Sequence, residues 1–256
     1  MDLVRHPIVF LHLPKTAGQT IHNALTRAVA PATVSPIRVH TQAATGPEQF
    51  PPGHALYSGH LDWVEAHRLP PGRFAFTVLR EPRERIASFY FFLRRDAQRL
   101  DSSALARPEN LGRRRALVWP AEEYFLGGDA VWQAFIRDHY DNFYCGYFAT
   151  GRFRHGAAVR DLPAAVALAR ARAGLAQLDG VFQTSNLAPL EAAFAERYGF
   201  RLALAGRYDN AGEGPRGLSR WTELMALLGS DTARRRLEAF VQRDEALLHG
   251  RHAWSA

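Results

Sequence analysis

The apolar positions of the chain fall into two rhythms. Four short stretches, PIVFLHL (7–13), HALYSGH (54–60), GRFAFTVLR (72–80) and LDGVFQT (178–184), read as strands, the first as a short apolar run and the third most clearly. Between and after them the apolar residues recur at helical spacing. In TIHNALTRAVA (20–30) they are Ile21, Ala24, Leu25, Ala28 and Val29. The stretch EPRERIASFYFFLRR predicts a second helix, with Pro82 suited to its first turn. Its aromatic residues are spaced to pack a helix onto a sheet. PAEEYFLGG and AVWQAFIRDHY predict short helices, LPAAVALARARAGLAQ a longer one, and APLEAAFAERYG the helix after the fourth strand. The polar stretch from Asp101 to Leu117, with Arg113, Arg114 and Arg115 in succession, reads as a mobile loop. A loop over 205–218 and two helices complete the chain. Strands alternating with helices predict an α/β fold with a mostly parallel central sheet flanked by helices, and no linker divides residues 1–256.

Composition narrows the picture in three ways. The chain is 47% hydrophobic, enough for a packed core. Its net charge is +7, which predicts attraction to an anion without saying which. The single cysteine, Cys145, excludes an intramolecular disulfide and suits a reducing compartment. With no apolar run of membrane-spanning length and no cleavable leader, the expectation is a cytoplasmic protein.

One residue changes the picture more than the totals do. Lys15 is the only lysine, the other 31 basic residues being arginine. It lies in HLPKTAGQT, between the first strand and the first helix. A loop in that place gathers backbone N–H groups and the positive end of a helix around one point, a ready anion site. Gly18 permits close backbone approach, Thr16 and Thr20 offer hydroxyl donors, and Lys15 adds a compact mobile charge where the planar arginine fork would be too large. The loop is P-loop-like rather than a standard P-loop, because Lys15 precedes Gly18 instead of following a second glycine. No strand ends in an aspartate suited to hold Mg²⁺, so no metal is expected.

HLPKTAGQT resembles the 5′-phosphosulfate loop of sulfotransferases that use 3′-phosphoadenosine 5′-phosphosulfate (PAPS). LREPRERIASFYFF, with Arg80 at the end of a strand and Ser88 eight residues on, resembles their second signature. The R-x-P-x-x-R-x-x-S-x-Y form is most similar to heparan sulfate 2-O-sulfotransferase and its bacterial relatives. The resemblance implies a three-layer P-loop-like fold in a single domain. It implies that Lys15, Thr16, Ala17, Gly18, Gln19 and Thr20 bind the 5′ end of PAPS, and that Arg80 and Ser88 hold its 3′-phosphate. It implies sulfuryl transfer to a hydroxyl, on a carbohydrate in this branch. LYSGHLDW looks like the family's segment with the proposed base, which makes His60 the candidate; Ser58 stands where the 2-O-sulfotransferase has a second histidine. His54 and His12 are substitutes for His60, with His12 expected in the sheet or beside the loop. DNFYCGYFAT resembles a family stretch with an arginine four residues after the asparagine; here Asn142 is present and Gly146 replaces the arginine. Arg216 and Gly217 lie in a loop similar to the one that closes over the nucleotide.

Two other classes stay open on the residues alone: a nucleotide phosphotransferase, which would require Mg²⁺, and a non-catalytic binder of anionic glycan or nucleic acid, which would bind with a steep salt dependence and no turnover. Basic and aromatic residues are not interleaved on one predicted surface, so a nucleic-acid partner is not expected. Arg94, Arg95 and Arg99 continue one helix, mostly toward solvent; Arg113 to Arg115 read as a solvated loop, with the gathering of an anionic acceptor as the alternative.

Overall fold

A computed structural model describes residues 2–64, 69, 71–204 and 219–249. Four strands, β1 (Ile8–Leu11), β2 (Leu56–Gly59), β3 (Phe74–Leu79) and β4 (Gly180–Gln183), form one parallel sheet in the order β2-β1-β3-β4. Each lies inside the run that predicts it. β1, β2 and β3 are buried along their whole length, which is why they read as continuous apolar runs instead of alternating ones.

The helices are α1 (Gly18–Val29), α2 (Pro82–Ala97), α3 (Ser102–Ala106), α4 (Leu111–Val118), α5 (Ala121–Leu126), α6 (Ala130–His139), α7 (Phe143–Thr150), α8 (Gly156–Val159), α9 (Ala164–Leu175), α10 (Ala188–Tyr198), α11 (Arg220–Ala226), α12 (Asp231–Ala239) and α13 (Gln242–His249). The architecture is therefore α/β with a parallel sheet flanked by helices.

Described residues within 2–80 and 144–204 form one compact unit, and those within 81–143 and 219–249 a second. The first holds the sheet. Ile8, Phe10, Phe74, Phe76 and Val78 pack with Ile21, Leu25 and Val29 of α1 and with Leu190 and Phe194 of α10. The second is helical. Ile86, Tyr90 and Leu93 of α2 pack with Tyr124, Phe125, Trp132, Ile136, Tyr140, Trp221 and Leu224. The aromatic run of α2 is thus core, as its spacing predicts, but it joins a helical core: every buried member of that cluster comes from the second unit.

Two other expectations need correction. Residues 101–117 are not a loop: α3, a single 3₁₀ turn (Pro108–Asn110) and α4 occupy them. Asp101 caps α3 by accepting from Ala104 N at 2.8 Å. The arginines that suggested solvent are engaged. Arg113 pairs with Asp96 at 2.5 Å, and Arg115 lies over the rings of Trp119 and Trp132 at 4.2 and 4.7 Å. The carboxyl-terminal stretch holds three described helices where the pattern predicts two.

Among the described residues no helix is long and apolar enough to cross a membrane. None of the described His, Cys, Asp and Glu side chains form a group of three or more placed to hold a metal ion.

Candidate active site at the carboxyl end of the sheet

The strand order fixes where a ligand can enter. The chain passes from β1 to β2 on one side of β1, then to β3 on the other, so the connections that leave β1 and β3 diverge. Such a crevice at the carboxyl ends is where open parallel sheets take ligands. The Lys15 loop leaves β1 and Arg80 follows β3 directly. The register, Leu11 against Thr77, makes those ends neighbours.

The Lys15 loop is tightly wound. Lys15 and Ala17 both have positive φ, 70° and 61°, a region that costs a residue with a Cβ about 1–2 kcal/mol. Thr16, between them, is fully buried, and its hydroxyl donates to Leu13 O at 2.9 Å. This corrects one expectation: the Thr16 hydroxyl hydrogen closes the turn and does not offer itself to a ligand. Gln19 is exposed and bonds Asn23 at 2.8 Å, and Thr20 is buried. α1 then starts at Gly18 with no side-chain cap and no acidic residue in its first turn. A twelve-residue helix with an uncapped amino end presents its donors to whatever lies before it.

Gly18 is required by its neighbour. A Cβ there would lie 1.6 Å from His12 Nε2. His12 therefore sits beside the loop, the second of the two expected places. Its ring packs against His60 with centroids 4.4 Å apart. His60 Nδ1 lies 2.6 Å from His12 O. A carbonyl only accepts, so Nδ1 carries the proton and Nε2 keeps its lone pair. Phe153 packs on His60 at 5.3 Å and on His40 at 5.4 Å. His54 lies before β2, its Nδ1 at 3.1 Å from Pro51 O. Six residues of roughly extended chain, about 20 Å, separate it from His60, so His54 is no substitute base.

Two residues the sequence reading passed over complete the group. His22 of α1 approaches Ser58 Oγ at 3.0 Å, and Arg38 Nη1 donates to His22 Nε2. Burial, above all, holds the histidines neutral. It pulls His12 well below the ordinary imidazole value, with the charges of His60, Arg38, His22 and Lys15 adding to the effect. Burial and Arg38 together bring His22 to about 4. His60 is also lowered, by burial first, against its bond to His12, which acts the other way.

These directions make a stability prediction. Each folded-state value lies below the unfolded value of about 6.5, so the unfolded chain binds more protons in the interval between them. Their contribution is complete above pH 6.5 and is lost as pH falls toward 4. Thermal unfolding followed from pH 7 to pH 4 is expected to show a falling Tm across that window, with a smaller slope for His22→Gln.

Arg80 is fixed through its backbone. The Tyr144 hydroxyl accepts from Arg80 N at 3.1 Å and donates to Arg80 O at 3.0 Å. The helix after it is capped by its own chain. Glu81 accepts from Arg83 N and Glu84 N at 3.0 and 2.7 Å, so the first amides of α2 serve this carboxylate and not a phosphate. Ser88 lies two turns into α2, buried, in the second unit.

Asn142 has a structural task within the second unit. Its Oδ1 accepts from Arg243 N at 2.7 Å, and its Nδ2 donates to Ala239 O at 3.1 Å. Gly146 is held small by His155, whose Nδ1 would lie 2.1 Å from a Cβ. Arg216 and Gly217 lie outside the described residues.

No curated protein matches the chain. Residues 4–116, which include the Lys15 loop, Arg38, His60, Arg80 and Ser88, match the family model Sulfotransfer_2, described as "Sulfotransferase family". Over those residues, a little under half of the chain, the protein is similar to a sulfotransferase family.

Proposed function

We propose that the protein transfers the sulfuryl group of PAPS to an acceptor hydroxyl, with a carbohydrate as the acceptor class that the resemblance implies. The observation that carries the reading is local to the first unit. A lone lysine in a strained loop before an uncapped helix shares its surroundings with a histidine whose Nε2 lone pair is free of its own proton. The parts suit a doubly anionic leaving end: Lys15 and the first amides of α1 supply positive field, and no carboxylate stands in the first turn to oppose it.

In the proposed step the acceptor oxygen forms a bond to sulfur while the bond from sulfur to the 5′-phosphate oxygen breaks. His60 Nε2 takes the acceptor's proton, and the electron pair leaves with the phosphate oxygen, beside Lys15. The product nucleotide is adenosine 3′,5′-bisphosphate. Arg80, clamped by Tyr144 at the end of β3, is the residue assigned to the 3′-phosphate. Ser88, its partner by resemblance, belongs to the second unit, and the test below is read on Arg80.

Calorimetric titration is expected to show adenosine 3′,5′-bisphosphate binding more tightly than adenosine 5′-monophosphate. Loss of one charged partner from a buried contact costs on the order of 2–5 kcal/mol. In Arg80→Ala the two nucleotides should bind alike. Equal affinity in the unaltered protein removes the assignment of Arg80. Transfer itself is tested by release of adenosine 3′,5′-bisphosphate from PAPS with a panel of sugar hydroxyl acceptors, and no release with any acceptor class would overturn the reading.

A further inference from the structure

Arg38 has no place in the motifs that the sequence offers, yet the fold fixes it as firmly as any residue of the site. Residues 33–40 run along the outer edge of β2 as two isolated parallel bridges, Val34 to Leu56 and Val39 to His60. Around the second bridge, His60 N donates to Arg38 O and His40 N donates to His60 O, both at 2.8 Å. Arg38 N donates to Gln42 Oε1 at 2.6 Å. Only glycine at position 59 allows this approach, since a Cβ there would lie 2.2 Å from Arg38 O. The backbone of Arg38 is thus tied to the candidate base itself.

The side chain is anchored without being neutralised. Arg38 Nη1 donates to His22 Nε2. A guanidinium has no acceptor, so that nitrogen of His22 accepts, and the proton of the imidazole sits on Nδ1, facing Ser58. The imidazole is neutral, so the anchor leaves the full positive charge of Arg38 in place. Among the described residues no carboxylate forms an ion pair with Arg38, and its Nε is buried with no hydrogen-bond partner. A half-buried guanidinium that lacks a counter-charge and holds an unmet buried donor is a costly arrangement. It becomes favourable when an anion arrives. The charge also lies close enough to His12 and His60 to act on both.

We infer that Arg38 is a catalytic residue of this site, a second cation beside Lys15, which meets the non-bridging oxygens of the transferring sulfuryl group. The inference rests on the function proposed above. Lys15 and the start of α1 face the leaving phosphate end; Arg38, joined to His60 through the backbone, stands on the side of the base and so of the attacking hydroxyl. As sulfur passes between the two oxygens, its three other oxygens carry charge throughout. A fixed guanidinium there stabilises them and leaves the proton transfer to His60. In this arrangement His22 is a positioning residue, acting through Arg38.

The product nucleotide separates this role from others, because adenosine 3′,5′-bisphosphate has lost the sulfuryl group. Arg38→Ala and Arg38→Gln are expected to bind it within about threefold of the unaltered protein, while kcat with PAPS and acceptor falls by about 50-fold, on the low side of what one transition-state donor contributes. Arg38→Lys should recover part of that loss. His22→Gln should lower kcat by a smaller factor, about tenfold, by releasing the guanidinium. Arg38→Gln is included because it keeps a donor for His22 and most of the stem, so one variant of the pair retains the fold.

Turnover within threefold of normal in Arg38→Gln, or an affinity for adenosine 3′,5′-bisphosphate that falls as far as kcat does, overturns the inference. The second result would place Arg38 on a nucleotide phosphate or in the fold. An unaltered protein that neither binds this nucleotide nor transfers from PAPS overturns the proposed function, and the inference with it. That outcome is distinguishable, because it needs no variant.

Discussion

Lys15→Ala is expected to lower turnover by about a thousandfold while changing nucleotide affinity by about tenfold or less. The difference follows from when the charge is needed. As sulfur departs, negative charge grows on the oxygen that bridged it to the 5′-phosphate, and a cation placed there acts most strongly in the transition state. Ground-state binding is spread over the amides of α1 and Arg80, so it survives better. Lys15→Arg should recover only part of the rate. Position 15 adopts φ 70°, flanked by the fully buried Thr16 and by Ala17 at φ 61°, and the planar fork does not fit a turn closed this tightly. Lys15→Gly supplies the control on folding. Glycine takes the left-handed conformation without the Cβ penalty, so this variant should be as inactive as Lys15→Ala and more stable by about 1 kcal/mol. Steady-state rates, nucleotide titration and thermal unfolding of the three variants check the set. A fully active Lys15→Arg would make the single lysine an accident of composition.

How much of this was legible beforehand differs by element, for physical reasons. β1 and β3 could be read because they are buried along their whole length, and such burial writes a mostly apolar run, whereas β4 is only half-buried and was read from its short apolar centre between turn residues. α1 could be read because one stripe of it packs on the sheet. The segment 101–117 misled because its stabilising contacts are not apolar in the sequence: Arg115 is held by the faces of Trp119 and Trp132, and Arg113 by Asp96. A run of arginines looks the same whether water or tryptophan surrounds it. At the site, contrast decided. Lys15 stood out against 31 arginines, and Gly18 against its helix. Arg38 had no such contrast, being one arginine among many in a stretch too irregular to read as a strand. Only the pairing of Val34 and Val39 with the edge of β2 brings it to His60. His22 lay on a helix already explained by its apolar stripe, and nothing local marks its approach to Ser58. The Glu81 cap shows the converse: a glutamate beside a motif arginine could have been read as a helix cap from its position before Pro82.

His60→Ala is expected to leave the affinity for adenosine 3′,5′-bisphosphate nearly unchanged and to cut turnover by roughly 100-fold or more, the scale of a lost general base. The hydrogen bond from Nδ1 to His12 O fixes both ring orientation and tautomer, so the lone pair on Nε2 is presented in one direction without a further proton shift. Burial lowers the His60 value, and the charges of Arg38 and His40 lower it further. The base is therefore neutral at pH 7, and the rate of the unaltered enzyme should rise with pH through a value below 6.5 and be level by neutrality. That is an earlier plateau than an unperturbed histidine would give. The variant should lose this acidic limb together with its rate, whereas a variant damaged only in packing would keep the limb and shift its Tm. Arg38→Gln should keep the limb but move it upward, since a nearby positive charge has been removed. Normal turnover in His60→Ala would pass the role to His12. That alternative carries its own signature: His12, also lowered by burial, lies against Gly18, so an acidic limb would survive in His60→Ala and His12→Ala would abolish it.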